Sequence, residues 1–297
     1  MSFMSKKLKV KSALLAGVVV LSLIIMGVIL STMQDNISLE NYRADIQREM
    51  DELPTLLETA DDETAQNEET FDAIYQSKAA SVAFMANNKA DYEATNAKMQ
   101  EYKELLGVDN VMIVNKDGKI EAQAQDTLAD FSYARYNELR NTISSGEPSA
   151  AVEVDFAEEN QTWRYYSARI DDNTMVVIEQ IPAELTELID STSSTSAVLS
   201  SVSVGQSGYV FAISGRDYVV TYHPNSEVIG TDALDDGIDV TDLENGKFSW
   251  IDFEGERLYC GVSEIEGTYY VSAVPESELI ASRNLTVAVI LFIFFSP

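Results

Sequence analysis

Residues 164–185 read RYYSARIDDNTMVVIEQIPAEL, and residues 257–279 read RLYCGVSEIEGTYYVSAVPESEL. Each stretch opens on an arginine and a strand-forming run, breaks at a polar turn, resumes as an apolar run and stops at a proline. Arg164 stands eighteen residues before Pro182, and Arg257 eighteen before Pro275. After the prolines come Ala183-Glu184-Leu185 and Glu276-Ser277-Glu278-Leu279, both suited to a first helical turn. An offset of 93 residues with no gap predicts two copies of one antiparallel module.

The neighbouring sequence repeats the same order. In the first copy, Val111–Val114 and Lys119–Ala124 are strands around the turn Asn115-Lys116-Asp117-Gly118. Ala151–Phe156 then pairs with Trp163–Ile170 across a polar loop, and Met175–Ile181 is the last strand. In the second copy, Gly208–Ile213 and Tyr218–Tyr222 flank Ser214-Gly215-Arg216-Asp217. Lys247–Phe253 and Arg257–Val262 form a hairpin, and Thr268–Val274 ends at Pro275. The expected class is α+β, with modules at 107–190 and 191–282. Glu184–Val204, helical and then rich in Ser and Thr, couples them.

Upstream, residues 34–106 are polar and rich in helix formers, with a break expected at Leu53-Pro54 and a loop-like acidic patch at Asp61-Asp62-Glu63. Phe71, Ile74, Val82, Met85, Met99, Tyr102, Leu105 and Leu106 recur at helical spacing. One long helix or two in series is expected there, with one face to pack.

Ser12–Ser31 is twenty residues without a charge. A helix rising about 1.5 Å per residue spans the hydrocarbon layer over such a length. Lys6, Lys7, Lys9 and Lys11 precede it, and Asp35, Glu40 and Asp45 follow, which predicts residues 1–11 inside the cell and the main domain outside. A cleaved signal peptide would have a shorter apolar core and a small-x-small site, and Ser31-Thr32-Met33 is a poor one. At the other end, Leu285–Phe295 reads as the first half of a second span within 285–297, so an output module is expected beyond this chain. All 49 acidic residues lie between Asp35 and Glu278, where only 15 of the 20 basic ones fall. Nucleic acid and anionic lipid headgroups are therefore poor partners. The field favours cationic ligands on approach but says nothing of a pocket's interior, and an acidic surface adapted for solubility accounts for it equally. Cys260 is the only cysteine, so no internal disulfide forms.

Gly205-Gln206-Ser207-Gly208-Tyr209-Val210-Phe211, then Tyr222-His223-Pro224-Asn225 and Ile229-Gly230, resembles the membrane-proximal signature of the double Cache family of bacterial sensor domains. Val108-Asp109-Asn110 to Lys119-Ile120 resembles the first strand pair of that family's membrane-distal module. The resemblance covers nearly the whole region after the anchor. It implies a long helix with two stacked PAS-like modules, a small-molecule ligand in the distal one, and output through a chemotaxis, kinase, cyclase or phosphatase domain. It also implies a structural role for Gly208, Tyr209, His223 and Pro224. Family members that bind amino acids carry an Arg-x-Trp-Tyr motif and an aspartate near the end of the last distal strand. The sequence departs from both: Arg135-Tyr136 is a partial echo, and Gln180, next to Glu179, stands at the aspartate position.

Candidate ligand contacts in the first module are Tyr133, Arg135, Tyr136, Trp163, Arg164, Tyr165, Tyr166 and Gln180, with Arg169 in the same cluster. An arginine there would grip a carboxylate, and aromatics would box an apolar part. Alternation puts Trp163, Tyr165 and Ser167 on one face of their strand and Arg164, Tyr166 and Ala168 on the other, and either set could line a pocket. An organic acid, an amine or an amino acid fits this inventory. No cofactor, metal or catalytic residue is expected. Ser207 and His223 could be written into a hydrolase triad, but Tyr209 stands where the nucleophile elbow needs a glycine. Asp232, Asp235, Asp236, Asp239 and Asp242 depart from the EF-hand pattern. The reading is a membrane-embedded, homodimeric sensor without chemistry of its own; the alternative is an anchored structural or adhesive surface protein.

Overall fold

The computed structural model describes residues 2–88, 92–125, 137–147, 152–156, 161–281 and 284; for 2–20, 23–24, 137–138, 140, 152–156 and 161 it describes the backbone alone. Helix α1, Ser2–Asn87, runs through both the expected break and the acidic patch. Pro54 lies inside it, although an interior proline removes a helix donor and costs about 3 kcal/mol. The compensation is visible one residue away. Ile46, Met50 and Leu53 are buried on a sheet, at the i, i+4 and i+7 spacing of one helix face. Asp61, Asp62 and Glu63 lie on exposed helix surface, where charge needs no loop. The helical region does divide, but later. Helix α2, Asn96–Leu106, starts at Thr95, whose side chain accepts from the Lys98 amide, and stops at Gly107.

The chain forms two units, Ala60–Ser194 and Met1–Thr59 with Thr195–Pro297. The first holds β1 (Asn110–Asn115), β2 (Ile120–Gln123), α3 (Asn137–Ser145), β3 (Val152–Phe156), β4 (Gln161–Arg169), β5 (Thr174–Gln180) and α4 (Ala183–Thr192). Its antiparallel sheet has the order β2-β1-β5-β4-β3. One face packs on Tyr75, Ala79 and Val82 of α1 and on Met99 and Tyr102 of α2. The other carries Met112, Val114, Trp163, Tyr165, Met175 and Val177 under Leu139 and Ile143 of α3.

The second unit holds α5 (Thr195–Ser201), β6 (Tyr209–Ser214), β7 (Val220–Tyr222), β8 (Phe248–Phe253), β9 (Glu256–Ile265) and β10 (Thr268–Pro275). The order β7-β6-β10-β9-β8 repeats that of the first sheet, strand for strand. The α+β class and the two antiparallel modules therefore stand. The first half of α1 lies directly on β9: a Cβ on Gly261 would come within 2.6 Å of the Met50 sulfur.

One detail of the repeat does not survive. An ungapped offset of 93 residues would set Leu258 opposite Ser272, as Tyr165 is opposite Glu179; hydrogen bonding sets it opposite Pro275. The hairpins turn differently. Asp171 caps the amides of Asn173 and Thr174 in the first, whereas the second turns at Glu266-Gly267, both with positive φ. The order of elements is repeated, but residue equivalence is lost across the turn.

The run Ser12–Ser31 lies within α1, though most of its side chains fall outside those described. Residues 285–297, the expected second span, lie outside the described residues altogether. Among the described residues no helix is long and apolar enough to cross a membrane.

Candidate ligand-binding face

Strand register places three polar side chains in one row across the first sheet. Asn110 of β1 opposes Glu179 of β5, and Glu179 opposes Tyr165 of β4. Paired residues share a face, so all three lie on the side opposite α1. Glu179 is 1% exposed. Its Oε1 accepts from the Tyr165 hydroxyl at 2.7 Å and its Oε2 from Asn110 Nδ2 at 3.0 Å. Asn110 is fixed in turn, since its Oδ1 accepts from the amides of Val111 and Gln125. Burial raises the Glu179 pKa, and the bonds from Asn110 and Tyr165 oppose that rise in part.

Among the described residues the carboxylate has two donors, both neutral, which fill half of its acceptor sites; the Lys103 charge acts on it without a hydrogen bond among those residues. Beside this row, Trp163 is 3% exposed and its Nε1 has no partner among the described residues. The hydroxyls of Thr142 on α3 and Ser167 on β4 meet at 2.7 Å on the same face. A separate open cleft of about 650 Å³ beside Pro182 and α4 shares no residue with the row.

The aromatic and cationic residues singled out from the sequence are divided by the sheet. Trp163 and Tyr165 face the Glu179 row. Arg164, Tyr166 and Gln180 are on the α1 side. Arg164 donates to Asp72 at 2.9 Å and to Glu68 at 3.1 Å, both on α1. The Tyr166 hydroxyl donates to the same Asp72 oxygen at 2.8 Å, and its ring stacks on Tyr75. Gln180 donates to the neighbouring Ile181 carbonyl. Arg169 lies beside α3, its guanidinium 3.5 Å from the Ile143 carbonyl and ion-paired with Asp172. Tyr133, Arg135 and Tyr136 lie outside the described residues. Glu179 and Asn110 were not singled out. The signal for them was parity: Glu179, not Gln180, shares a face with Tyr165, but this follows only once the hairpin turn is placed.

The corresponding face of the second sheet has a different chemistry. Phe211, Ile213, Phe253, Leu258, Cys260 and Val271 are covered by Val228, Ala233, Ile238 and Leu243 of the same unit. That side is an apolar core, with His223 at its border. His223 is buried among the rings of Tyr209, Phe211 and Phe253 at 5.2–5.9 Å. Its Nδ1 accepts from the Asn225 amide, which fixes the turn at Pro224, and its Nε2 has no partner among the described residues. Ser207 donates to Glu278 rather than to His223. Among the described residues no group of three His, Cys, Asp or Glu is placed to hold a metal. In the acidic loop, Asp232 and Asp239 cap local turns.

Burial lowers the His223 pKa from 6.5. As pH falls below that value the unfolded chain takes up the proton first, so stability drops until the folded pKa is reached. His223→Asn retains an acceptor for the Asn225 amide and removes the titration. Thermal melts between pH 7.5 and 5.5 should fall more steeply for wild type than for the variant. Equal slopes would show that His223 is not held neutral.

No protein-family model and no curated protein matches this sequence. Solved structures do, among them ligand-binding domains of bacterial chemoreceptors. The ligand-binding domain of Mlp24, solved with asparagine, is 13% identical, with 83% of this chain covering 99% of that one at a TM-score of 0.37. The sensory domain of the Campylobacter jejuni chemoreceptor Tlp3 is 9% identical, with 82% covering 98% at 0.38. The ligand-binding domain of the Pseudomonas aeruginosa amino-acid chemoreceptor PctB, solved with L-Arg, is 17% identical, with 77% covering 90% at 0.34.

Proposed function

We propose that this chain is the extracytoplasmic sensing region of a bacterial transmembrane receptor of the double Cache kind, and that residues 60–194 bind a small metabolite carrying an amine. The observation that carries this reading is Glu179. A desolvated carboxylate with two neutral donors is costly unless a cation completes it. An ammonium group supplies the charge and up to three donors, and Trp163 and Tyr165 supply aromatic surface beside it. The net charge of −29 draws cations toward the protein, although selection rests on the Glu179 row. A structural surface protein would give no reason for such a residue. The second unit, whose matching face is a filled apolar core, transmits rather than binds.

Leu21, Ile25, Val28, Ile29, Met33 and Ile37 of α1 are each more than half exposed, which supports a helix that continues into lipid. Farther along, Thr70, Ile74, Ser77, Ser81 and Phe84 form an exposed face without charge, at the spacing of a two-helix seam. This supports a homodimer through α1. Ser77→Glu should convert the sedimenting species from dimer to monomer, and an unchanged dimer would reject that seam.

A thermal-shift screen of amines, amino acids and organic acids tests the ligand class. A compound at 100 times its Kd adds about 2.7 kcal/mol. Hits should carry a cationic nitrogen; hits confined to organic acids would overturn the assignment.

A further inference from the structure

In the second unit the carboxylate of Glu278 collects four hydrogen bonds from two other parts of the chain. The amides of Gln206 and Ser207 donate at 2.8 Å each, the Ser207 hydroxyl at 2.5 Å, and the Tyr42 hydroxyl of α1 at 2.9 Å. Glu278 lies in the helical turn that follows β10 and is 9% exposed. The seat is shaped for it. Gly205 has φ +63°, and a Cβ there would lie 2.6 Å from Glu278 Oε1 and 2.8 Å from the Tyr42 ring. A Cβ on Gly208 would strike the carbonyls of Val204 and Ala273 at 2.4 and 2.5 Å. The spacing Gly205-x-Ser207-Gly208 is thus the spacing of a carboxylate cradle.

We infer that this cradle is a latch: Glu278 is its bolt, Gly205–Gly208 its seat, and Tyr42 the point at which α1 is fastened to the segment leaving β10. The arrangement suits a reversible joint. Gly205, Gln206 and Ser207 are exposed, so water can take their donors when the carboxylate withdraws. Beyond the latch, Leu39 of α1 and Leu279 border one apolar cluster, and with Asn36 and Glu276 they line a small cleft of about 200 Å³. The first half of α1 and the segment after β10 are therefore tied through one ionisable side chain. A signal that moves one past the other has to break or carry that tie.

The geometry needs no ligand, so its test is independent of the sensor reading. Spin labels at Asn36→Cys and Ser277→Cys, both exposed, report the separation of α1 from the segment after β10 in the full chain. Cys260 is buried and its thiol pKa is pushed up to about 12, so it stays unlabelled in the folded protein. Wild type should give one narrow short-range distance. Glu278→Gln should broaden it and speed exchange of the Gln206 and Ser207 amides at least tenfold. Tyr42→Phe should broaden the distance but leave those amides protected, because it releases α1 alone. If Glu278→Gln unfolds the unit, Tyr42→Phe decides. A Tyr42→Phe protein with the wild-type distance overturns the latch.

Discussion

Glu179→Gln is expected to melt above wild type at pH 8 and level with it near pH 4. In the folded protein burial raises the carboxyl pKa above 4.5, so the folded state holds its proton over a range where the unfolded chain has released it. Below 4.5 there is no penalty. The penalty grows as pH rises from there through the folded pKa and is complete above it. A tenfold difference in proton affinity between the folded and unfolded states corresponds to about 1.4 kcal/mol, or roughly 3–5 °C for about 135 residues. Glutamine removes the charge while keeping the row intact, since Asn110 can donate to its oxygen and its amide can donate to the Tyr165 oxygen. Differential scanning calorimetry across pH 4–8 reads the effect. A variant less stable than wild type at pH 8 would mean that a cation inside the protein already balances Glu179.

The second large effect belongs to the other side of the same strand. Asp72→Ala should destabilise the first unit by about 2–3 kcal/mol, lowering its midpoint by roughly 5–10 °C. The substitution takes the Asp72 carboxylate from the buried Arg164 and the acceptor from the Tyr166 hydroxyl. Glu68, partly exposed, is left to hold Arg164, which keeps the loss below that of a fully orphaned ion. Adding Arg164→Met should recover part of it, because the cation no longer needs a partner and the apolar stem still packs on α1. Urea unfolding of the two variants measures this. A loss below about 0.5 kcal/mol for Asp72→Ala would make the cluster surface decoration.

These two sides of β4 also mark how far the sequence could be read. Strand positions were legible because turn residues such as Asn115–Gly118 and stops such as Pro182 and Pro275 are local signals. The repeat was legible for the same reason, as an order of elements. Facing was not. Alternation separates Arg164 from Tyr165, but which of them meets α1 depends on the helix that packs there. The partner of each depends on a turn whose length differs between the copies. The break expected at Pro54 failed for a similar reason: a local penalty was outweighed by the burial of Ile46, Met50 and Leu53. Glu278 gave no local signal, for its donors are 71, 72 and 236 residues away in sequence.

In the proposed site the buried Glu179 carboxylate is completed by a ligand cation. Isothermal titration of the purified chain with a screened amine, alongside its deaminated counterpart, tests that most directly when repeated on Glu179→Gln. The account predicts saturable binding of the amine alone, weakened at least 100-fold in the variant, whose fold is intact by its own melt. Binding of equal strength to wild type and Glu179→Gln, or to both compounds, would contradict it.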